Sequence, residues 1–246
     1  VSETTYPVRA VIFDWGGTLT PWHDIDLVEQ WQHYAQIFDP LDSALAAKLA
    51  DAEVRQWHEQ QSSSGANGTG ALQHIFDLVG IDTSSRLHHD ALANYLRGWD
   101  PHTLADPQAF SAMSALRDRG IRVGVLSNTM WPRAHHEAVF ARDGLLPLID
   151  AAVYSSEISF AKPHADAFNA ILTGLEVTPE EAVFVGDRPW DDVHGAQQVG
   201  MRAVLVPHSR LGNQAVEVDV TPDATIRSLI EIVGLVDEWN ESAEQG

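Results

Sequence analysis

Ala10-Val11-Ile12-Phe13-Asp14-Trp15-Gly16-Gly17-Thr18-Leu19-Thr20 is the stretch that decides the fold. Its first four residues are apolar without interruption, as in a strand buried on both faces. The run ends on an aspartate followed by two glycines and a threonine. Glycines there let the backbone turn tightly and approach a ligand closely. Many strand ends carry Asp and Gly, so the pattern is weak alone and gains force only from the later strand ends of the chain.

Similar short apolar runs recur at residues 121–126, 151–154, 182–185 and 203–206. They are rich in β-branched residues, and most end at Gly, Ser, Asp or Pro. Helix-like segments lie between the later runs, at 132–142, 164–175 and 191–199. This alternation predicts a doubly wound, Rossmann-like α/β core with a parallel sheet. Such sheets place their chemistry just beyond the C-terminal ends of the strands.

Residues 24–100 break the alternation. Leu27, Trp31, Tyr34 and Phe38 fall at helical spacing, as do Leu45, Leu49 and Val54. Leu72, Ile75, Phe76 and Val79 predict a third helix; Leu87, Leu92, Tyr95 and Leu96 predict a fourth. The region reads as a helical insertion after the first strand. Within it, residues 60–70 (QQSSSGANGTG) read as a flexible inter-helix loop or a mobile lid segment. The tail from 213 predicts one further helix, 226–233, and then a fraying acidic end.

The chain has 246 residues, 44% of them hydrophobic, so a sizeable core can be buried. It carries 15 Lys+Arg against 35 Asp+Glu, a formal charge of −20. So acidic a surface repels nucleic acid and anionic lipid, and points to a small-molecule substrate. The absence of cysteine excludes disulfides, thiolate metal sites and a cysteine nucleophile. Residues 1–9 do not read as a signal peptide, and no stretch approaches the ~20 apolar residues of a membrane helix. The expectation is a cytoplasmic monomer or homodimer.

Three further pieces lie beyond the first strand end. Ser127 and Asn128, in Leu126-Ser127-Asn128-Thr129, offer a hydroxyl and an amide that can hydrogen-bond an anion. Lys162, before Pro163 at a helix start, is one of only two lysines, the other being Lys48. It can neutralise an anion and a carboxylate together. Val185-Gly186-Asp187-Arg188-Pro189-Trp190-Asp191-Asp192-Val193-His194-Gly195-Ala196 gathers three carboxylates after a strand. Packed together they repel unless a cation sits among them, and hard oxygen ligands suit Mg²⁺.

In this order the four pieces resemble the motifs of the haloacid dehalogenase superfamily, over residues 9–206. The insertion falls where that family's first type of cap is inserted. The resemblance implies a core of residues 1–20 and 101–246 and a helical cap of residues 21–100. It implies that Asp14 is the nucleophile, that Ser127 holds the transferring phosphoryl group and that Lys162 orients Asp14. It further implies Mg²⁺ held by Asp14, Asp187 and the backbone carbonyl of Gly16, with Asp191 or Asp192 ligating or supporting; Asp192 is taken here as the ligand.

The sequence departs from the family at Gly16, where most of its phosphatases carry a second aspartate. That residue protonates the leaving group, a contribution of ~10²–10⁴-fold. One reading is a phosphatase whose acid comes from elsewhere, with His23, Asp24 and Asp26 nearest, or whose leaving group needs none. A second is attack on carbon, as in the superfamily's dehalogenases, which also lack that acid and need no metal; the superfamily's phosphonate-cleaving branch likewise has a small residue there but does use Mg²⁺, and Lys48 would have to form its Schiff base. A third is a non-catalytic anion binder. Asn128, Trp22, His23 and Arg133 are the candidate substrate contacts. Trp15, Trp22, Trp131 and Trp190 could pack the loops or form an aromatic wall, and Arg133 and Arg188 could hold a second anionic group or pair with acids. The adjacent pairs His88-His89 and His135-His136 lack zinc-helix spacing and read as solvated.

Overall fold

A computed structural model describes residues 6–41, 43–62, 70–206 and 220–245. The five predicted strands form within a residue or so of expectation: β1 Ala10–Phe13, β2 Arg122–Ser127, β3 Ala151–Tyr154, β4 Ala182–Gly186 and β5 Arg202–Leu205. A two-residue strand, β6 Ala224–Thr225, was not expected from the sequence. All pairings are parallel, in the order β3-β2-β1-β4-β5-β6. The chain runs outward from β1 to β3, then crosses back to β4 on the other side of β1. The order therefore reverses between β1 and β4, and a crevice opens at their C-terminal ends.

Alternation along the strands sorts the core into two faces. Ala10 and Ile12 pack with Phe168, Ile171 and Leu172 of helix α7, Ala165–Leu175. Val11 and Phe13 face the opposite side, the side of α5, Ala109–Asp118, and α9, Glu231–Glu244. Every residue of β1 is buried, as its unbroken apolar run requires.

Four helices form the insertion between β1 and α5: α1 Leu27–Ala35, α2 Ser43–Ser62, α3 Ala71–Val79 and α4 Arg86–Gly98. Ser85 caps α4 by accepting from His88 N, and Asp26 caps α1 by accepting from Val28 N. Their shared core is aromatic: Trp31, Tyr34, Phe76 and Tyr95 are fully enclosed, with Trp31 stacked on Tyr95 at 4.1 Å. Ring contacts continue through Tyr95–Trp99, Trp99–Trp131 and Trp131–Trp15, so one apolar cluster joins the insertion to the sheet. Three apolar residues at helical spacing miss this core. Val54 and Leu87 are exposed, and Phe38 lies beyond the end of α1. Residues 63–69, and with them most of the 60–70 segment read as a lid or linker, lie outside the described residues.

Two other expectations are corrected. The tail helix spans Glu231–Glu244 rather than 226–233, and the acidic end is part of it. Leu229, Ile232, Val233 and Val236 make a buried stripe against α5, and Arg119 forks onto Asp237 from that helix at 2.7 and 2.9 Å. Packing on one face holds a helix whose exposed face is acidic. The helix predicted over 191–199 is present but starts two residues earlier, wound as a π-helix over Pro189–His194 that continues into the short α8, Gly195–Gln198. Among the described residues no helix is long and apolar enough to cross a membrane. The α6 helix, Arg133–Arg142, follows β2 as expected.

Glu53 is buried inside the insertion and accepts a 2.6 Å hydrogen bond from Trp31 Nε1. Burial pushes its carboxyl up to about 7, against the donors Trp31 and Trp57. The folded protein therefore holds this proton more tightly than the unfolded chain. Its contribution is fully present below the unfolded value near 4.5 and is lost as pH rises through about 7. Glu53→Gln keeps an acceptor for Trp31 without the charge. The variant is expected to be more stable than the parent at pH 8 by on the order of 2 kcal/mol, a gap that closes toward pH 4.5. Urea unfolding of both proteins across pH 4.5–8 measures it; a gap that does not change with pH would refute the assignment.

Candidate active site

Asp14 directly follows β1, its N–H donating to Val185 O of β4 at 2.9 Å. The chain then folds back on itself. Gly17 N donates to Thr20 O at 2.7 Å, and Thr20 N to Trp15 O at 3.0 Å. Gly17 has φ +84°, and a side chain there would overlap both Trp22 and Asp187. Glycine is thus required twice over, by backbone conformation and by space.

Lys162, in the segment between β3 and α7, reaches the same point. Its ammonium donates to Asp14 Oδ1 and to Asp192 Oδ1, both at 2.7 Å. All three residues are buried. Burial works against the lysine's charge, but Asp14 and Asp192 outweigh it and push its pKa up. Asp192 Oδ2 accepts from Arg188 N at 2.9 Å, so both of its oxygens are engaged. A side chain on Gly186 would overlap the Asp192 carboxyl, which explains the glycine before Asp187.

Asp187 follows β4. Its Oδ2 accepts from Trp22 Nε1 at 2.9 Å, while its Oδ1 is buried without a hydrogen-bond partner. Burial, then the charges of Asp14 and Asp192, push its carboxyl up to about 7. Asp14 is likewise pushed up, to about 6, by burial against the pull of Lys162. Oxygens of Asp14, Asp187 and Asp192 lie within 4.8 Å of one another. Four carboxylates, Asp14, Asp187, Asp191 and Asp192, face two cations, Lys162 and Arg188, leaving a formal charge of −2. An orphaned buried oxygen among hard ligands with that residual charge fits a divalent cation such as Mg²⁺. Between the two neighbouring aspartates, Asp192 belongs to the cluster, whereas Asp191 is 3.3 Å from Arg188 Nη1.

Of the residues singled out from sequence, Asp14, Lys162, Asp187 and Asp192 converge, and Gly16 lies in the turn beside Asp14. Ser127 ends β2 and is buried. Trp22 lies against Gly16, with Arg188 over its ring at 5.3 Å. Two expected substrate contacts have protein partners in this structure. Asn128 spends its amide on the backbone of Lys162, accepting from its N and donating to its O, both at 2.9 Å. Arg133 forks onto Glu157 and donates to Ala152 O, which fixes it as an ion-pair residue. His23 is exposed, in edge contact with His102. Asp26 is spent as a helix cap and Lys48 is on an exposed helix face.

The histidine expectation is also corrected, because His88, His135 and His136 are buried. His136 Nε2 meets Thr129 Oγ1 at 3.0 Å, and Trp131 N donates to the same hydroxyl. Thr129 N in turn donates to Ser155 Oγ. Burial pushes His136 down to about 3, so it is a neutral brace for the loop after Ser127. Sequence reasoning missed Thr129, His136 and Ser155 in this role. The sole signal was a histidine pair one turn after that loop.

The chain matches the haloacid dehalogenase-like hydrolase family over residues 8–200. It is 26% identical over 238 residues to a glyceraldehyde 3-phosphate phosphatase of Methanopyrus kandleri, covering 92% of this chain and 97% of that one. Among solved structures it resembles a HAD phosphatase from Thermococcus onnurineus, with TM-score 0.63, 23% identity and coverage of 93% and 98% of the two chains. It equally resembles a 2-haloacid dehalogenase from Pseudomonas syringae, with TM-score 0.67, 23% identity and coverage of 94% and 99%. These two likenesses share one fold and do not discriminate between the chemistries.

Removing the shared ammonium would leave Asp14 and Asp192 facing each other in a buried site. Lys162→Met is expected to cost ~3–5 kcal/mol in equilibrium urea unfolding. Adding Asp192→Asn should recover part of that loss. A cost below about 1 kcal/mol would be that of a solvated pair and would refute the buried bridge.

Proposed function

We propose that this chain, which belongs to the haloacid dehalogenase-like hydrolases, is a Mg²⁺-dependent phosphatase of small phosphorylated metabolites, working through an aspartyl-phosphate on Asp14. The observation that carries the reading is the buried, unpartnered Asp187 Oδ1 beside Asp14 and Asp192. Attack on carbon asks for no cation, and a dehalogenase would have no use for that oxygen. A match over most of the chain to a relative named as a phosphatase supports the same choice.

In this reading Asp14 attacks phosphorus and the ester oxygen departs. Lys162 holds Asp14 in line and balances the charge of the transferring group. Ser127, at the neighbouring strand end, hydrogen-bonds a phosphoryl oxygen. Water then cleaves the acyl phosphate and regenerates the carboxylate. Asp14 and Asp187, with the carbonyl of Gly16, would hold Mg²⁺, and Asp192 would brace Lys162. When bound, the ion shields the approach of carboxylate to phosphate. Residues 21–100 serve as a cap over the crevice, and residues 1–20 and 101–246 form the catalytic core.

No carboxylate stands at Gly16; the ring of Trp22 lies 3.4 Å from where a Cβ at that position would be. The leaving oxygen is therefore expected to depart without an acid from that position.

The test is release of phosphate from monoesters and of halide from short 2-haloacids, each with Mg²⁺ and with chelator. Phosphate release that needs Mg²⁺ and falls by at least about 10³-fold in Asp14→Asn is expected. Halide release indifferent to chelator would establish the dehalogenase instead. Within the monoesters, aryl, enol and acyl phosphates should exceed alkyl phosphates by about 10²-fold or more in kcat/KM. Equal rates would mean that a proton donor reaches the site from elsewhere, with His23 and Asp24 the first to substitute.

A further inference from the structure

Trp22 stands in the segment that leads from the β1 turn into the helical insertion, yet its indole is anchored on the core. Its Nε1 donates to Asp187 Oδ2 at 2.9 Å, across the Gly16–Gly17 turn. Three neighbours surround that bond. Gly17 carries no side chain where one would overlap both Nε1 and Oδ2. The six-membered ring lies beside Gly16, in ordinary contact range at 3.4–3.6 Å from where a Cβ would be. The Arg188 guanidinium covers the ring at 5.3 Å, a cation–π contact that fixes its plane. Trp22 is 38% exposed.

The bond leaves Asp187 with one oxygen held and the other, Oδ1, buried and unpartnered. A carboxylate that rotates freely loses entropy on ligating an ion; one pinned by a neighbouring N–H has lost it already. Resting on the Mg²⁺ reading above, we propose that Trp22 is a positioning residue for the cation site. Its indole N–H fixes Asp187 Oδ2 so that Oδ1 faces the ion.

Neighbouring bonds place this contact at the base of the insertion. Thr20 Oγ1 donates to Leu104 O at 2.8 Å and Asp106 N to Leu19 O at 2.8 Å, tying the outgoing and returning segments together. Trp22 is the next fixed point along the outgoing segment, before Asp26 caps α1.

Trp22→Phe keeps a ring over Gly16 and under Arg188 but removes the donor. The experiment is a calorimetric Mg²⁺ titration of the metal-free parent and of Trp22→Phe, with melting temperatures recorded without metal and turnover measured across the Mg²⁺ range. The variant is expected to bind Mg²⁺ about 10-fold or more weakly, with a metal-free melting temperature within about 2 °C of the parent. Saturating Mg²⁺ should return its maximal rate to within about twofold of the parent's. An unchanged Kd would overturn the proposal, and an unchanged Kd with a lowered maximal rate would reassign Trp22 to substrate. If the parent itself takes up no Mg²⁺, the cation reading fails and this inference with it. Trp22→Leu, which removes the aromatic ring altogether, should weaken Mg²⁺ binding to the same degree as Trp22→Phe. A much larger loss in Trp22→Leu alone would assign the effect to packing and overturn the role of the N–H.

Discussion

The ammonium of Lys162, shared between Asp14 and Asp192, is the interaction on which the site depends. Two carboxylates cannot be buried side by side at neutral pH without a cation between them. The lysine is itself buried, so it must in turn be held in place. Asn128 does this by hydrogen-bonding both backbone groups of Lys162, which makes the loop after β2 the support of a residue 34 positions further on. Thr129, His136 and Ser155 brace that loop from below. An amide that looks like an anion-binding group is thus part of the scaffold, one step removed from the chemistry.

The second constraint is space around the β1 turn. Gly17 and Gly186 each stand where a side chain would overlap Trp22, Asp187 or Asp192. Their absence of side chains lets three carboxylates and an indole crowd into the switch point of the sheet. The site tolerates such crowding because opposite charges are interleaved with like ones: Lys162 lies between Asp14 and Asp192, and Arg188 lies beside Asp191 and Asp187. What remains is a formal charge of −2 with one oxygen unpartnered, a combination suited to a small divalent ion.

The helical insertion is joined to this core by aromatic packing and by its paired connecting segments. The run of rings from Trp31 through Tyr95, Trp99 and Trp131 to Trp15 makes a continuous apolar path between the insertion and the residue after the nucleophile. Trp15 and Trp131 are packing residues in that path, whereas Trp22 and Trp190 are exposed at the site's edge.

The sequence alone determined the parallel sheet, the helical insertion and the order of the four strand-end motifs. Each is a local signal: the apolar run of β1, the helical spacing of Trp31 and Tyr34, an Asp or Lys beside Gly or Pro. It likewise carried Asp14, Lys162 and Asp187, whose residue types are unusual where strands end. Only the tertiary structure decided how those groups pair. Asp14 and Lys162 are 148 positions apart, and Trp22 and Asp187 are 165 apart. The strand order places β1 beside β4, which brings Asp187 next to Asp14 and Trp22. For the same reason sequence spacing could not separate Asp191 from Asp192, assign Asn128 and Arg133 to supporting bonds, or see that His136 is buried. A side chain's partner is set by which elements become neighbours, and neighbouring residues in the chain carry no record of that.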